Sequence, residues 1–316
     1  MSEMRVRILL LLFALAGSLQ DPNTGAATMA EIPDVLAKGI PPRSPSAMTG
    51  SEFATFVSSV DRSLREQAIL NELESGNMPA FLRRLKPVTL QHTLEGGRVA
   101  AVTIFVTPDY LAIGSDDDFL RIPMALPTAV EVAARFGFVL PTTKMVDAIF
   151  EQSEFRLSPE PMPAGPQMRT TAYFREHNRL IDRQCAACGF QPGALVSGHK
   201  KDLVLSDRLN RCTKRVAIYG WHRGAGAPIQ PLSTIHGAEY ADYSHGIRLV
   251  SDIVLLDGKP CSVYSILGND TLASLLSDEG VIHGARRLMS ALPATQGKDR
   301  DSNVLLTLMP RPSAGK

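Results

Sequence analysis

Four prolines crowd residues 158–166. Proline fixes φ and lacks an amide donor, so no helix or central strand runs through that stretch. The chain therefore either divides there into two lobes or carries the stretch across the surface of one. On its N-terminal side Phe53, Phe56, Val57, Val60, Leu64, Ala68 and Leu73 recur at helical spacing, which predicts one amphipathic helix over residues 51–76 that starts at Ser51 and Glu52. A short helix over 79–85, strands over 99–106 and 110–113, and helices over 127–136 and 143–150 follow. Beyond the prolines the pattern predicts a helix over 171–183. Short apolar segments at 194–196, 203–205, 216–219 and 249–256, set between glycine-bearing loops, then read as strands. This order predicts an α+β or mixed α/β fold, with N-terminal helices packed on a mainly antiparallel sheet behind His-bearing loops.

At 316 residues, 44% hydrophobic and 21% charged, the chain has the composition of an ordinary folded protein. Its 33 basic and 32 acidic residues nearly cancel, which leaves no broad field for nucleic acid or an anionic membrane. Arg5 and Arg7 precede an apolar run over 8–16, followed by Gly17 and Ser18. That is the pattern of a secretory signal over 1–18, cleaved somewhere between 16 and 30. The run is shorter than the about 20 residues a membrane span needs. Residues 19–50, rich in Pro, Gly, Ala and Ser, read as a flexible linker, and 51–316 as a single globular domain. The expected product is secreted or periplasmic, with no membrane span in its mature form.

In an oxidising compartment Cys185, Cys188, Cys212 and Cys261 could form up to two disulfides, with the pairing open. Gly189, Pro192 and Gly193 follow the CxxC of Cys185 and Cys188 at once, which is poor context for a redox site. The run Asp116, Asp117, Asp118 could ligate a hard cation or form a solvated turn; the calcium-loop pattern is missing.

The chemistry points to the histidines. Five of the seven, His177, His199, His222, His236 and His245, fall within 177–245, each beside glycine or small polar residues, where a scaffold presents functional side chains. Imidazole both ligates zinc and moves protons near neutral pH. His199, Asp202, His236 and His245 are the candidate ligands of a catalytic zinc. His222 and Asp242 are the candidate acid–base pair. Lys200, Tyr219, Trp221, Tyr243 and Arg248 are candidates to hold a polar or anionic substrate. HExxH, GxSxG and P-loop patterns are all lacking.

The stretch from Ser233 through His236 to Asp242 and His245 resembles, over a short span and without matching spacings, the His/Asp/His ligand set of secreted zinc D-alanyl-D-alanine and murein peptidases. The phrases GHKKD, IYGWH, PIQPLS, YADYSHGIRLV and PDYLAIGSDDDF resemble exported bacterial proteins of no known activity, over 51–280. Together these readings predict an exported hydrolase, possible as a zinc enzyme through the His/Asp cluster, that acts on an extracellular or periplasmic peptide or glycan polymer such as cell-wall material. The alternative is a non-catalytic glycan-binding or envelope interaction protein that uses Trp221 and the tyrosines.

Overall fold

The structure, a computed structural model, describes residues 32–224 and 226–290. The expected signal segment lies outside the described residues. The chain enters through α1 (Ile32–Ala37), whose Ile32, Leu36 and Ala37, with Ile40 beyond it, are buried in the main core. Arg43 then bonds Asn77 and the carbonyl of Ala47. Residues 32–49, read as linker, are thus packed against the fold.

The long helix expected over 51–76 is two. α2 (Gly50–Phe56) starts with a capping box between Thr49 and Glu52, and α3 (Arg62–Glu74) starts at Asp61, whose carboxylate accepts from Leu64 N. A side chain that satisfies an orphan amide opens a new helix where periodicity alone runs on. Asp118 accepts from Ser51 N and Oγ at the head of α2, and Asp116 accepts from Phe81 N. The acidic run thus caps backbone amides.

Strands β1 (Lys86–Thr93) and β2 (Val99–Val106) form a hairpin in full antiparallel register. β1 alternates buried Val88 and Leu90 with exposed Pro87, Thr89 and Gln91, the period-2 pattern of a strand with one wet face. The small hairpin of β3 (Ala112–Gly114) and β4 (Phe119–Arg121) follows. Next come α4 (Leu126–Phe136), β5 (Phe138–Val139), α5 (Thr143–Gln152) and β6 (Phe155–Arg156). Gly137 (φ 84°) closes α4 in the left-handed conformation that glycine adopts without a Cβ penalty. The proline-rich residues 158–166 cross the surface as a strap, and α6 (Thr171–Cys188) follows, capped by Thr170.

The remaining strands are β7 (Val196–Ser197), β8 (Lys201–Leu203), β9 (Ile218–His222), β10 (Pro228–Ser233), β11 (His245–Gly246), β12 (Val250–Ser251), β13 (Ile253–Leu256) and β14 (Lys259–Ser262). α7 (Val263–Leu267) and α8 (Ala285–Leu288) end the described chain. The main sheet runs β14-β13-β2-β12-β5 with β1 on the other edge of β2, all antiparallel. A second sheet runs β10-β9-β8-β11, with β8 and β11 parallel. The architecture is α+β, with the helices packed around a mainly antiparallel sheet. No helix among the described residues is long and apolar enough to cross a membrane.

The parallel pair β8–β11 positions the site, and Gly246 permits it. A Cβ there would lie 2.6 Å from the Tyr110 ring and 2.7 Å from Lys200 Cβ. Both neighbours are buried, so neither can swing away. Gly246→Ala is expected to cost about 1–3 kcal/mol through overpacking, measured as a lowered urea midpoint. An unchanged midpoint would show that the contact yields without strain.

Candidate acid–base site

Two buried polar systems meet along β8. The first is a charged network. Arg121, 1% exposed, donates from Nε to Asp109 Oδ2 (2.8 Å) and from Nη1 to Asp182 Oδ1 (2.9 Å). The other oxygen of Asp109 takes the Tyr110 amide and His199 Nε2 (3.1 Å). Burial pushes the Asp109 carboxyl up, but Arg121 and His199 overcome it and hold it well below the carboxylate range. Burial lowers His199 to about 4 despite Asp109. Tyr110 donates to Asp202 Oδ2 (2.9 Å), and burial raises Asp202 to about 6. Arg248 lies over the Tyr110 ring at 4.4 Å, and its two amino groups donate to the carbonyls of Thr107 and Val196. Its guanidinium is therefore occupied in holding backbone.

The second system gathers around Lys200. Lys200 is 1% exposed and its ammonium donates to the Tyr243 carbonyl (2.6 Å). Burial, then repulsion from Arg121, lowers it to about 7. Asp242 binds Ser244 Oγ (2.6 Å), Ser244 N and the Tyr240 hydroxyl. Burial raises it, but His245 and the Ser244 bonds hold it below its usual value. His245, opposite Lys201 in the β8–β11 pair, is lowered by burial to about 4. The rings of His177 and Tyr243 meet at 4.9 Å, with Trp221 at 6.4 and 6.5 Å from them. Lys201 sits 4.9 Å over the Trp221 ring.

Trp221 reaches this position through a kink in β9. Gly220 (φ 104°) and Trp221 (φ 58°) are both left-handed, and for a bulky residue such backbone is strained. The kink breaks strand alternation. Tyr219 and His222 both turn to Asp147 on α5, at 2.9 and 2.8 Å, and His222 stacks on Phe150. His222 is thus paired with Asp147, not with Asp242. Across Gly220 this pair approaches Asp202: a Cβ there would lie 3.4 Å from Asp202 Oδ2 and 3.5 Å from His222 Cε1.

The four expected zinc ligands do not converge. His199 is bonded to Asp109 and Asp202 to Tyr110, His236 stacks on Tyr240 at 4.1 Å, and His245 stands near Asp242. Among the described residues no group of three or more His, Cys, Asp or Glu is disposed to hold a metal ion. The four cysteines are free thiols, with Cys185 and Cys188 in the last turn of α6. A cleft of about 440 Å³ along α6 touches the outer side of the first network through Arg121, Asn178 and Asp182.

The chain matches no family model, no curated protein and no solved structure. Function is therefore argued from the site. Lys200, Trp221, Tyr243, Asp242 and His245 were singled out by their neighbours in sequence, and they do come together. Asp109, Arg121 and Asp147 carry no signal in the sequence, because each acts through a partner that no local pattern reveals. Asp109 in particular reads as a turn residue beside Pro108.

Proposed function

We propose that this chain is an exported hydrolase with an acid–base centre at Lys200, Asp242 and His245, acting on a peptide or glycan polymer such as cell-wall material. One observation carries the reading. Both ring nitrogens of His245 and the Trp221 indole nitrogen are buried without a hydrogen-bond partner. Such atoms cost about 1–3 kcal/mol each and are rare in folded proteins, so their concentration around one lysine and one aspartate marks a place kept for a ligand. An amine with a pKa of about 7 can take a proton from an attacking water and return it to the leaving group. Asp242, ionised, balances the charge, and neutral His245, His177 and Trp221 supply polar contacts to the scissile group.

Lys200→Met is expected to lower turnover of wall-derived peptide or glycan by about 10²–10⁴-fold, the usual worth of a positioned acid–base group, and to remove the rise of rate through pH 7. A variant with full activity, or wild type inert on both polymer classes, would overturn the assignment. The aromatic-platform alternative is less well supported, since Trp221 and Tyr243 are 5% and 2% exposed. An envelope contact through an apolar patch also lacks support: Val99 and Ile235 are the large hydrophobics exposed among the described residues.

A further inference from the structure

We propose that the group this cluster grips is a carboxylate, presented from beneath the strap of residues 158–166. The inference rests on the hydrolase reading for its location and goes further in naming the chemistry recognised.

Donors outnumber acceptors here. Trp221 Nε1 can only donate, and it has no acceptor. Lys200 Nζ carries three N–H donors, and the Tyr243 carbonyl takes one of them. Neither Lys200 nor Lys201 joins a carboxylate in an ion pair among the described residues. Asp242 acts on both lysines, and its oxygens already take Ser244 and Tyr240. Asp109 and Asp182, the other carboxylates that act on Lys200, are held by Arg121.

A carboxylate fits these donors better than a phosphate. Phosphate sites favour the bidentate fork of arginine, and the two buried arginines nearby are committed, Arg121 to Asp109 and Asp182 and Arg248 to backbone carbonyls. A carboxylate offers two acceptor oxygens, enough for the indole N–H and the free ammonium protons.

The strap supplies the route in. It is mostly exposed and is tied to the cluster through the Tyr243 hydroxyl, which accepts from Met162 N (2.8 Å) and donates to Met162 O (3.2 Å). Further bonds join Tyr173 and Gln167 to the Pro163 carbonyl and Gln184 to Ser158 and Glu160, and the Glu160 backbone bonds His177. Displacing the strap would open the way to Tyr243, with His177 and Trp221 against it.

Trp221 is the only tryptophan, so its fluorescence reports this site alone. N-acetyl-alanine and glucuronate, a peptide-type and a sugar-type acid, are titrated against N-acetyl-alanine amide and inorganic phosphate. The expected result is a saturable emission change with at least one acid, weakened about tenfold or more in the amide and again in Lys200→Met and Lys201→Met. Which acid binds tighter distinguishes a chain-terminal carboxylate from a uronic acid. Equal response to acid and amide, tighter binding of phosphate, or no saturable response to either acid would overturn the proposal. Should Lys200→Met fail to fold, the wild-type acid and amide pair and Lys201→Met still decide it. Acid binding without cleavage of any polymer keeps this inference and removes the hydrolase reading; cleavage with Trp221 silent to both acids does the reverse.

Discussion

Arg121→Met is expected to lower the unfolding free energy by about 3–5 kcal/mol, the cost of leaving a buried charge without its partner. The guanidinium is 1% exposed and sits between Asp109 (1%) and Asp182 (51%). Its removal strands Asp109 with His199 and the Tyr110 amide as its remaining support. Lysine is not expected to rescue, because one ammonium cannot reproduce the fork that reaches two carboxylates and the Asn178 oxygen. Urea unfolding at pH 7 checks this, and a loss under about 1 kcal/mol, the range of exposed pairs, would refute it. The sign of the pH dependence follows from the lowered pKa of Asp109. Its contribution is present above the unfolded value of about 3.9 and is lost as acid protonates the folded carboxylate. Wild type should therefore lose stability below about pH 4 more steeply than Arg121→Met.

Lys200→Met is expected to act in the opposite direction on stability while abolishing turnover. A lysine lowered to about 7 binds fewer protons folded than unfolded between pH 7 and its unfolded value of about 10.4. Stability must then rise with pH across that window and carry the full penalty below it. Methionine fills the space of the alkyl stem without a charge. After loss of the bond to the Tyr243 carbonyl, a net gain of about 1–3 kcal/mol at pH 7 is expected. Thermal melts of both proteins at pH 7 and pH 10 test it: the difference should shrink at the higher pH. A variant less stable than wild type at pH 7 would show that Lys200 supports the fold. A more stable, inactive variant is the signature of a site maintained at the expense of stability.

Much of this was legible in the chain wherever the cause is local. β2 spans the residues its Val and Thr run implies, and α5 and α6 begin at their threonine caps, Thr142 and Thr170. β5, β7, β11 and β12 are two residues long and exist through their partners, so no periodicity can mark them. The same division runs through the site. GHKKD, IYGWH and DYSHG declare themselves by dense polar chemistry beside glycine, and the structure brings Lys200, Trp221 and Asp242 to one neighbourhood. The partner of each histidine is not legible in the sequence, which is why His199, Asp202, His236 and His245 read there as a zinc cage. Asp109 takes His199 out of that set from 90 residues away, and the kink at Trp221 sends His222 to Asp147.

The bonds that close the site also set when it can exist. Arg248 reaches Thr107 across 141 positions, Tyr110 reaches Asp202 across 92 and His199 reaches Asp109 across 90. Contacts this distant in the chain carry a loop-closure cost that only the assembled fold repays. The hairpin of β1 and β2 and the helices can assemble from near neighbours, but the cluster around Lys200 must wait for β11 to lie beside β8. The cluster around Lys200 is thus a product of tertiary closure, and no isolated stretch of the chain carries it.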